Sequence, residues 1–370
     1  MVYSDTDYRI AFSMVHGVNL NTGRQLLDKV GSEREFFEYG ERELKIITGL
    51  NDKHVSADSR KELLMTAYRE NMFCQTAAVN PLYFTDDDYP QRLLECGDAP
   101  VLVYSLGPCN LNARRVVSIV GTRHCTAYGQ AMTGRIVRSL AEKVSDLVIV
   151  SGLAYGIDVT AHRAAMENGV PTVGVLAHPL NRLYPPEHRD VAVRMVKSGG
   201  ALVSEYPTPL ADNTRAYTFL QRNRIIAGLS DITIVVESDR RGGSMATARC
   251  AMEYNRDVFA VPGRIGDKSS RGCNLLIAND TARILDDIDE FADQLGWTDK
   301  HSEGRQGELI LQLSDEQQQI LNVLKTNPDF TVNDIVRHTG KSYSFVTEQL
   351  FSLEMAGMVL SVPGGRFAIL

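Results

Sequence analysis

Between residues 116 and 261 the sequence alternates short β-branched runs with stretches of helical character, and this alternation constrains the fold more than any other feature. The runs fall at 116–120, 147–150, 172–177, 201–204, 232–236 and 258–261. Strands separated by helix-length connections build a parallel sheet with helices on its faces. There are too few units for a closed barrel, so an α/β fold with a doubly wound parallel sheet is expected. In such sheets ligands sit at the carboxyl ends of the strands.

Three of the runs lead through glycine into a helix, a junction whose backbone N–H groups favour anions. The longest is Ser151-Gly152-Leu153-Ala154-Tyr155-Gly156-Ile157-Asp158, followed by an Ala-rich helix that carries His162. The first is Gly121-Thr122-Arg123, with Thr126 and Gly129 beyond it. The third is Arg240-Arg241-Gly242-Gly243-Ser244. One such loop suggests a nucleotide, and three suggest a string of phosphates. Between the second and third lies a segment with Tyr217, Phe219, Arg222, Asn223 and Arg224. Aromatic rings beside paired arginines suit single-stranded nucleic acid, where rings stack on bases and cations hold the backbone. A packed Phe219 with salt-bridged surface arginines is the structural alternative. Asp158 and His162 are one helical turn apart and could form a metal or acid–base pair. Without a third ligand in the sequence, scaffolding is the preferred role, and no metal is expected.

Composition narrows the partners. The chain of 370 residues has a net charge of −7 and a pI near 5.7, so a polyanion must meet a local basic groove rather than the whole surface. The six cysteines are scattered without zinc-site or dithiol spacing, as expected for reduced thiols. No apolar run reaches the roughly 18 to 20 residues of a membrane span, and Met1-Val2-Tyr3-Ser4-Asp5 lacks the basic and apolar segments of a secretion signal, so a cytoplasmic location is expected.

The flanks differ in character. Residues 7–70 read as helical, with Ile10, Met14, Leu26, Leu27, Val30, Leu63, Leu64 and Ala67 at helical spacing. Reversals at His16-Gly17-Val18-Asn19 and Thr48-Gly49-Leu50-Asn51 match helix-hairpin-helix modules, although a purely packing role fits equally well. Near the other end, Ser314-Asp315-Glu316-Gln317 has the form of a capped helix start. Helices near 317–325, 332–338 and 342–356, then a strand, a turn and a strand, make a winged helix. Its basic residues, Lys325, Arg337, Lys341 and Arg366, are outnumbered by Asp315, Glu316, Asp329, Asp334, Glu348 and Glu354, which favours protein or self contact over DNA. The expected organisation is a helical domain over 1–80, an α/β domain over 81–295, a linker over 296–312 and a winged helix over 313–370.

Several chemistries lack their motifs. There is no Gly-x-x-x-x-Gly-Lys-Ser/Thr loop, no Gly-x-Gly-x-x-Gly after the first strand and no Gly-x-Ser-x-Gly elbow. Glu205 is the best-placed lone carboxylate but lacks an evident acid–base partner. Neither catalytic residues nor a cofactor are expected.

Taken together, these motifs resemble the DprA/Smf family, the DNA-processing proteins of bacterial natural transformation. The resemblance covers nearly the whole length. It rests on Tyr89-Pro90, Ala99-Pro100-Val101-Leu102, Val120-Gly121-Thr122-Arg123, the Ser151 to Asp158 loop with Ala161-His162, and Tyr184-Pro185. It continues through Ser204-Glu205, the Arg222-Asn223-Arg224 segment, Val235-Val236-Glu237, Thr247-Ala248, Val258 to Gly263, and Gly272-Cys273-Asn274. It implies an extended Rossmann-like core between a sterile-alpha-like or helix-hairpin-helix N-terminus and a winged-helix C-terminus. The function it implies is non-enzymatic: a homodimer that binds and protects incoming single-stranded DNA and loads a RecA-type recombinase. Its DNA pocket would include Arg123, Arg222 and Arg224. The binding set expected from loops and resemblance is Gly121, Thr122, Arg123, Ser151, Gly152, Gly156, Phe219, Arg222, Asn223, Arg224, Arg240, Arg241, Gly243 and Ser244.

Two departures from the family pattern fall on the groove. Leu220 follows Phe219 where the family has proline, and His178-Pro179-Leu180-Asn181 stands where a glycine and an aspartate are usual. The alternative from another class is a nucleotide-processing enzyme of the phosphoribohydrolase type. Its motif has a glutamate at the position of Arg249, which disfavours it. A third possibility is a protein adaptor.

Overall fold

The computed structural model describes residues 2–50, 56–208, 216–299, 314–327, 330–355, 359–362 and 366–369. They fall into two compact units, one within Met1–Lys300 and the other within His301–Leu370.

The first unit is built on a nine-stranded sheet. Its strands are β1 (Asn80–Tyr83), β2 (Leu102–Leu106), β3 (Arg115–Gly121), β4 (Leu147–Ser151), β5 (Thr172–Val175), β6 (Ala201–Ser204), β7 (Ile232–Val236), β8 (Asp257–Ala260) and β9 (Arg283–Ile284). Their order is β1-β2-β6-β5-β4-β3-β7-β8-β9. From β6 to β9 every pairing is parallel, while β2 pairs antiparallel with both β6 and β1. The chain runs outward from β3 to β6, then returns to place β7 on the other side of β3. The topological switch therefore lies between β3 and β7.

All six β-branched runs become strands of this sheet. Antiparallel β1 and β2 and the two-residue β9 were not among them: β1 carries Pro81, tolerable at a sheet edge, and neither β1 nor β2 leads into a helix.

The parallel strands are apolar on both sides, and alternate residues serve opposite faces. Val117, Ile119, Ile149, Ile232 and Ile234 pack on α6 (Ala127–Lys143) and α7 (Ile157–Glu167). Val116, Val120, Val150, Val173 and Val235 pack on α9 (Ala216–Gly228), α10 (Gly243–Glu253) and α11 (Arg271–Ala278). A further helix, α8 (Arg189–Lys197), covers Leu153, Leu176 and Leu202.

At the β1 end lie α1 (Asp5–Ser13), α2 (Leu20–Val30), α3 (Glu33–Glu38), α4 (Glu41–Thr48) and α5 (Ala57–Ala77). Their buried Phe12, Phe36, Leu44, Ala67 and Cys74 form one core with Tyr83, Val101, Leu102 and Tyr104 of the sheet edge. Arg60 of α5 closes this layer by donating from Nη1 to the carbonyls of Phe36, Phe37 and Tyr39 at 3.0, 2.9 and 2.8 Å. Asn51 of the second hairpin lies outside the described residues.

The second unit has the winged-helix elements: α12 (Asp315–Thr326), α13 (Val332–Thr339), α14 (Tyr343–Met355), and the antiparallel pair β10 (Val359–Val362) and β11 (Arg366–Ile369). Ile320, Leu324, Ile335, Val346, Leu350 and Leu353 make its core. Ser314 and Gln317 form the capping box that their spacing predicts, and Thr331 and Asp334 form another. Most of the expected linker, from residue 300, and the turn at 363–365 lie outside the described residues.

Candidate nucleic-acid interface

A cleft of about 660 Å³ opens at the carboxyl edge of the sheet, at the switch between β3 and β7. Strand order dictates this position, because the connections on either side of the switch leave in opposite directions. Its walls come from the first loop (Gly121 to His124), the third loop (Ser238, Asp239 and Gly242 to Ser244), Ala154 and Asp158, and one side of α9 (Phe219, Leu220, Arg222, Asn223 and Ile226).

The first loop is locked from within. Thr122 N donates to the Glu237 carbonyl at 2.8 Å, Ile157 N donates to the Thr122 carbonyl at 3.2 Å, and Thr122 Oγ1 accepts from His124 N at 3.2 Å. Glu237, buried at the end of β7, also accepts from Thr126 N and Thr126 Oγ1 at 2.8 and 2.5 Å, which ties the start of α6 to the neighbouring strand. Gly156 comes so close beneath this loop that a Cβ would stand 2.2 Å from the Thr122 carbonyl, and its φ of 76° is itself a glycine conformation. With its neighbours fixed, Arg123 projects outward, its guanidinium carbon 5.1 Å from the centre of the Phe219 ring. A stacked guanidinium keeps its in-plane N–H donors available.

Phe219 in turn lies 5.9 Å, centre to centre, from Tyr184, which is half exposed. The turn bearing Tyr184 hangs on His178. Nε2 of that imidazole accepts from Tyr184 N at 3.1 Å and Nδ1 bonds the Pro179 carbonyl at 2.9 Å, so the proton belongs on Nδ1. The departure at 178–181 thus builds the support of an aromatic lip. Leu220, the other departure, is exposed and adds apolar surface to the cleft.

Ser151, Gly152, Arg222 and Arg224, all in the expected contact set, are held by partners in the interior. Ser151 is fully buried, and its Oγ donates to the Ile119 carbonyl at 2.6 Å. The Gly152 carbonyl receives Arg222 Nη1 at 2.6 Å, and the same nitrogen reaches the Val175 carbonyl at 2.5 Å. Arg222 is only 4% exposed, so its charge is spent on these carbonyls and on the nearby buried Asp158. Burial pushes the Asp158 carboxyl up and the Arg222 guanidinium down, while each charge supports the other. Arg224 lies outside the cleft wall and pairs with Glu205, with side-chain exposures of 14% and 11%. Glu205 therefore has a partner, and a structural one. Spacing along the sequence could not tell these arginines from surface ones, because alternate positions of α9 face different layers.

The second loop serves an anion of its own. Ala154 N points to the Asp158 carboxylate at 3.4 Å. His162 is buried, with Nδ1 2.7 Å from Thr172 Oγ1, consistent with scaffolding.

At the third loop, Asn223 Nδ2 donates to the Gly243 carbonyl at 3.2 Å and Ser244 Oγ to Ser238 Oγ at 2.8 Å, which holds the start of α10 against α9. A Cβ on Gly243 would meet only open space. Arg240 and Arg241 are exposed beyond the cleft wall. Sequence reasoning missed Ser238, Asp239, the support by His178 and the stitch by Glu237. Tyr184 was visible only as half of a Tyr-Pro pair.

Comparison with known proteins places this geometry. Residues 80–296 match the family described as DNA recombination-mediator protein A, and residues 308–365 match the DprA winged helix domain. Protein Smf of Escherichia coli is 36% identical over 283 residues, covering 75% of this chain and 74% of that protein. DNA processing protein DprA of Streptococcus pneumoniae is 38% identical over 208 residues, covering 56% of this chain and 72% of that protein. The X-ray structure of the S. pneumoniae protein superposes with a TM-score of 0.63 at 31% identity, covering 81% of this chain and 100% of that one. A structure of DNA processing protein A from Helicobacter pylori, which addresses its single-stranded DNA binding mode, superposes with a TM-score of 0.52 at 30% identity, covering 59% and 95%. Because the family match takes in the whole sheet from β1 to β9, including both strands that border the cleft, the chain belongs to the DNA recombination-mediator protein A, or DprA/Smf, family.

Proposed function

We propose that the chain binds single-stranded DNA in the cleft at the carboxyl edge of its sheet and does no chemistry on it. The observation that carries this is Arg123 seated over Phe219 at the mouth, a phosphate-binding cation fixed beside a ring on which a base can stack. Tyr184 and Leu220 extend the apolar side of the mouth. Gly121, Thr122, Gly243 and Ser244 bring the backbone to the cleft, and Arg240 and Arg241 add charge beyond it. Gly156, Asn223 and Arg222 act from behind as supports. The single-stranded DNA binding described for the H. pylori protein agrees with this function.

The family's description as recombination mediators supports a wider role. The chain protects incoming strands during DNA uptake and recombination and passes them to a RecA-type recombinase. It acts as a homodimer whose two clefts share one strand, which raises the effective concentration for the second contact. The binder is favoured over a nucleotide-processing enzyme because Arg249 holds the glutamate position of the hydrolase motif and is exposed on α10.

Anisotropy titrations with single-stranded and duplex oligonucleotides across a salt series test the proposal. Tight oligo-dT binding that weakens steeply with salt is expected, with a large loss for Arg123→Glu. Unchanged affinity of that variant would remove the cleft from consideration, and release of free base from nucleoside monophosphates would revive the enzyme.

A further inference from the structure

We propose a second nucleic-acid contact on the loop that follows β8, residues 262–271, which leads a single strand out of the cleft. It rests on the cleft being the binding site for single-stranded DNA. The loop leaves the sheet at the same edge as the first and third loops, because β3, β7 and β8 are parallel neighbours. β8 is two strand spacings from β3, roughly 10 Å, so one oligonucleotide can touch both loops.

The loop is anchored at its base. Gly272 N donates to the Ser238 carbonyl at 2.7 Å, joining it to the cleft wall itself. Tyr128 Oη donates to the Pro262 carbonyl at 2.9 Å, and Asn274 bonds both the amide and the carbonyl of Gly263, at 3.1 and 3.0 Å. On this base the tip presents charge and one apolar side chain. Arg264, Lys268 and Arg271 are exposed, and Ile265 is 100% exposed. Lys268 Nζ lies 3.9 Å from the Asp239 carboxylate, and Arg271 reaches the Gly266 carbonyl at 3.4 Å.

Charge identifies the occupant. With Arg240 and Arg241 alongside, the patch has five cations against the carboxylates of Asp239 and Asp267, in a chain of net charge −7. So local an excess of positive charge on an acidic protein suits a polyanion. Continuity with the cleft through Ser238 makes that polyanion the same strand. Ile265 at the tip and the exposed ring of Tyr128 at the base offer apolar faces to unpaired bases, which a duplex keeps stacked inside.

Anisotropy with the full chain separates this contact from the cleft. Oligo-dT of about six nucleotides, enough for one site, is compared with about twenty. The test protein carries Arg264→Ala, Lys268→Ala and Arg271→Ala together, with the single reversal Lys268→Glu as a second variant. Wild-type affinity is expected to rise with length. The triple variant is expected to keep its affinity for the short oligomer within about twofold. It should bind the long one at least about tenfold more weakly, with a salt slope shallower by about 2 for three lost phosphate contacts. Lys268→Glu should shift the long oligomer alone in the same direction. Wild-type affinity and slope on the long oligomer would overturn the exit path, as would an equal loss on both lengths. A wild-type protein that binds neither oligomer would instead refute the cleft, and this contact with it.

Discussion

A Cβ on Gly152 would stand 2.2 Å from Nη1 of Arg222, so the strand-end glycine and the buried arginine occupy complementary space. Gly152→Ala must displace the guanidinium from the carbonyls of Gly152 and Val175, and the expected loss is about 1–3 kcal/mol of stability. Arg222→Leu goes further, leaving both carbonyls unbonded and Asp158 without its compensating charge, a loss of about 3–5 kcal/mol. Urea unfolding of the variants measures both. A wild-type midpoint for Arg222→Leu would show that the arginine is not a structural clamp.

The Arg224–Glu205 pair is the same kind of device on the other layer. Glu205→Ala strands a buried guanidinium and should destabilise the protein by about 3–5 kcal/mol, whereas the joint replacement Glu205→Leu with Arg224→Met should recover much of that loss. Because neither residue lines the cleft, folded material of either variant should keep wild-type oligo-dT affinity. A folded double variant with greatly weakened binding would return Arg224 to the DNA contact set.

Phe219 and Arg123 can be told apart by salt. Phe219→Ala removes a stacking face and should weaken oligo-dT binding by about 1–3 kcal/mol while leaving the salt dependence unchanged, since no charge is lost. Arg123→Ala should weaken binding and also make the slope shallower by about 0.7, the share of one phosphate on a single strand. Parallel salt titrations decide the matter: a shallower slope for Phe219→Ala would mean that the ring acts by positioning the guanidinium.

Acid should act through His162. Burial first, then the charges of His188 and Arg222, lower its pKa from the ordinary 6.5 to about 3. It is therefore neutral in the fold, while the unfolded chain takes up its proton below about pH 6.5. Stability from this group is complete above that value and falls as the pH drops towards 3, by up to about 1.4 kcal/mol per pH unit. His162→Asn removes this term, so its stability deficit at neutral pH should narrow at pH values near 5. Denaturation curves at the two pH values would show an unchanging deficit if His162 titrated normally.

The six parallel strands β3 to β8 and the loops at their ends were legible because both signals are local, whereas β9 has only two residues and carries no such run. β-branched runs mark buried strands, and glycine followed by a helical stretch marks the turn at a strand end. Antiparallel β1 and β2 were not, since β2 joins the sheet beside β6 through a pairing across about a hundred residues and β1 is added only on β2. The same limit governs the site. Arg123, Phe219, Gly121 and Gly243 could be proposed from the sequence and do meet in one cleft. Ser151, Gly152, Arg222 and Arg224 carry the same local signals, yet the fold turns them inward.

By itself the sequence determined the succession of the six strands β3 to β8 and the helices between them, the positions of the glycine loops and the acidity that confines any polyanion to a local patch. These depend on residue type and near-neighbour spacing. Only the tertiary structure decided which cations are available. An arginine's role is set by whether carbonyls or a carboxylate meet it in the interior, as for Arg222 and Arg224, or an aromatic ring meets it at the rim, as for Arg123. Those partners come from segments far apart in the chain, so folding alone assigns them.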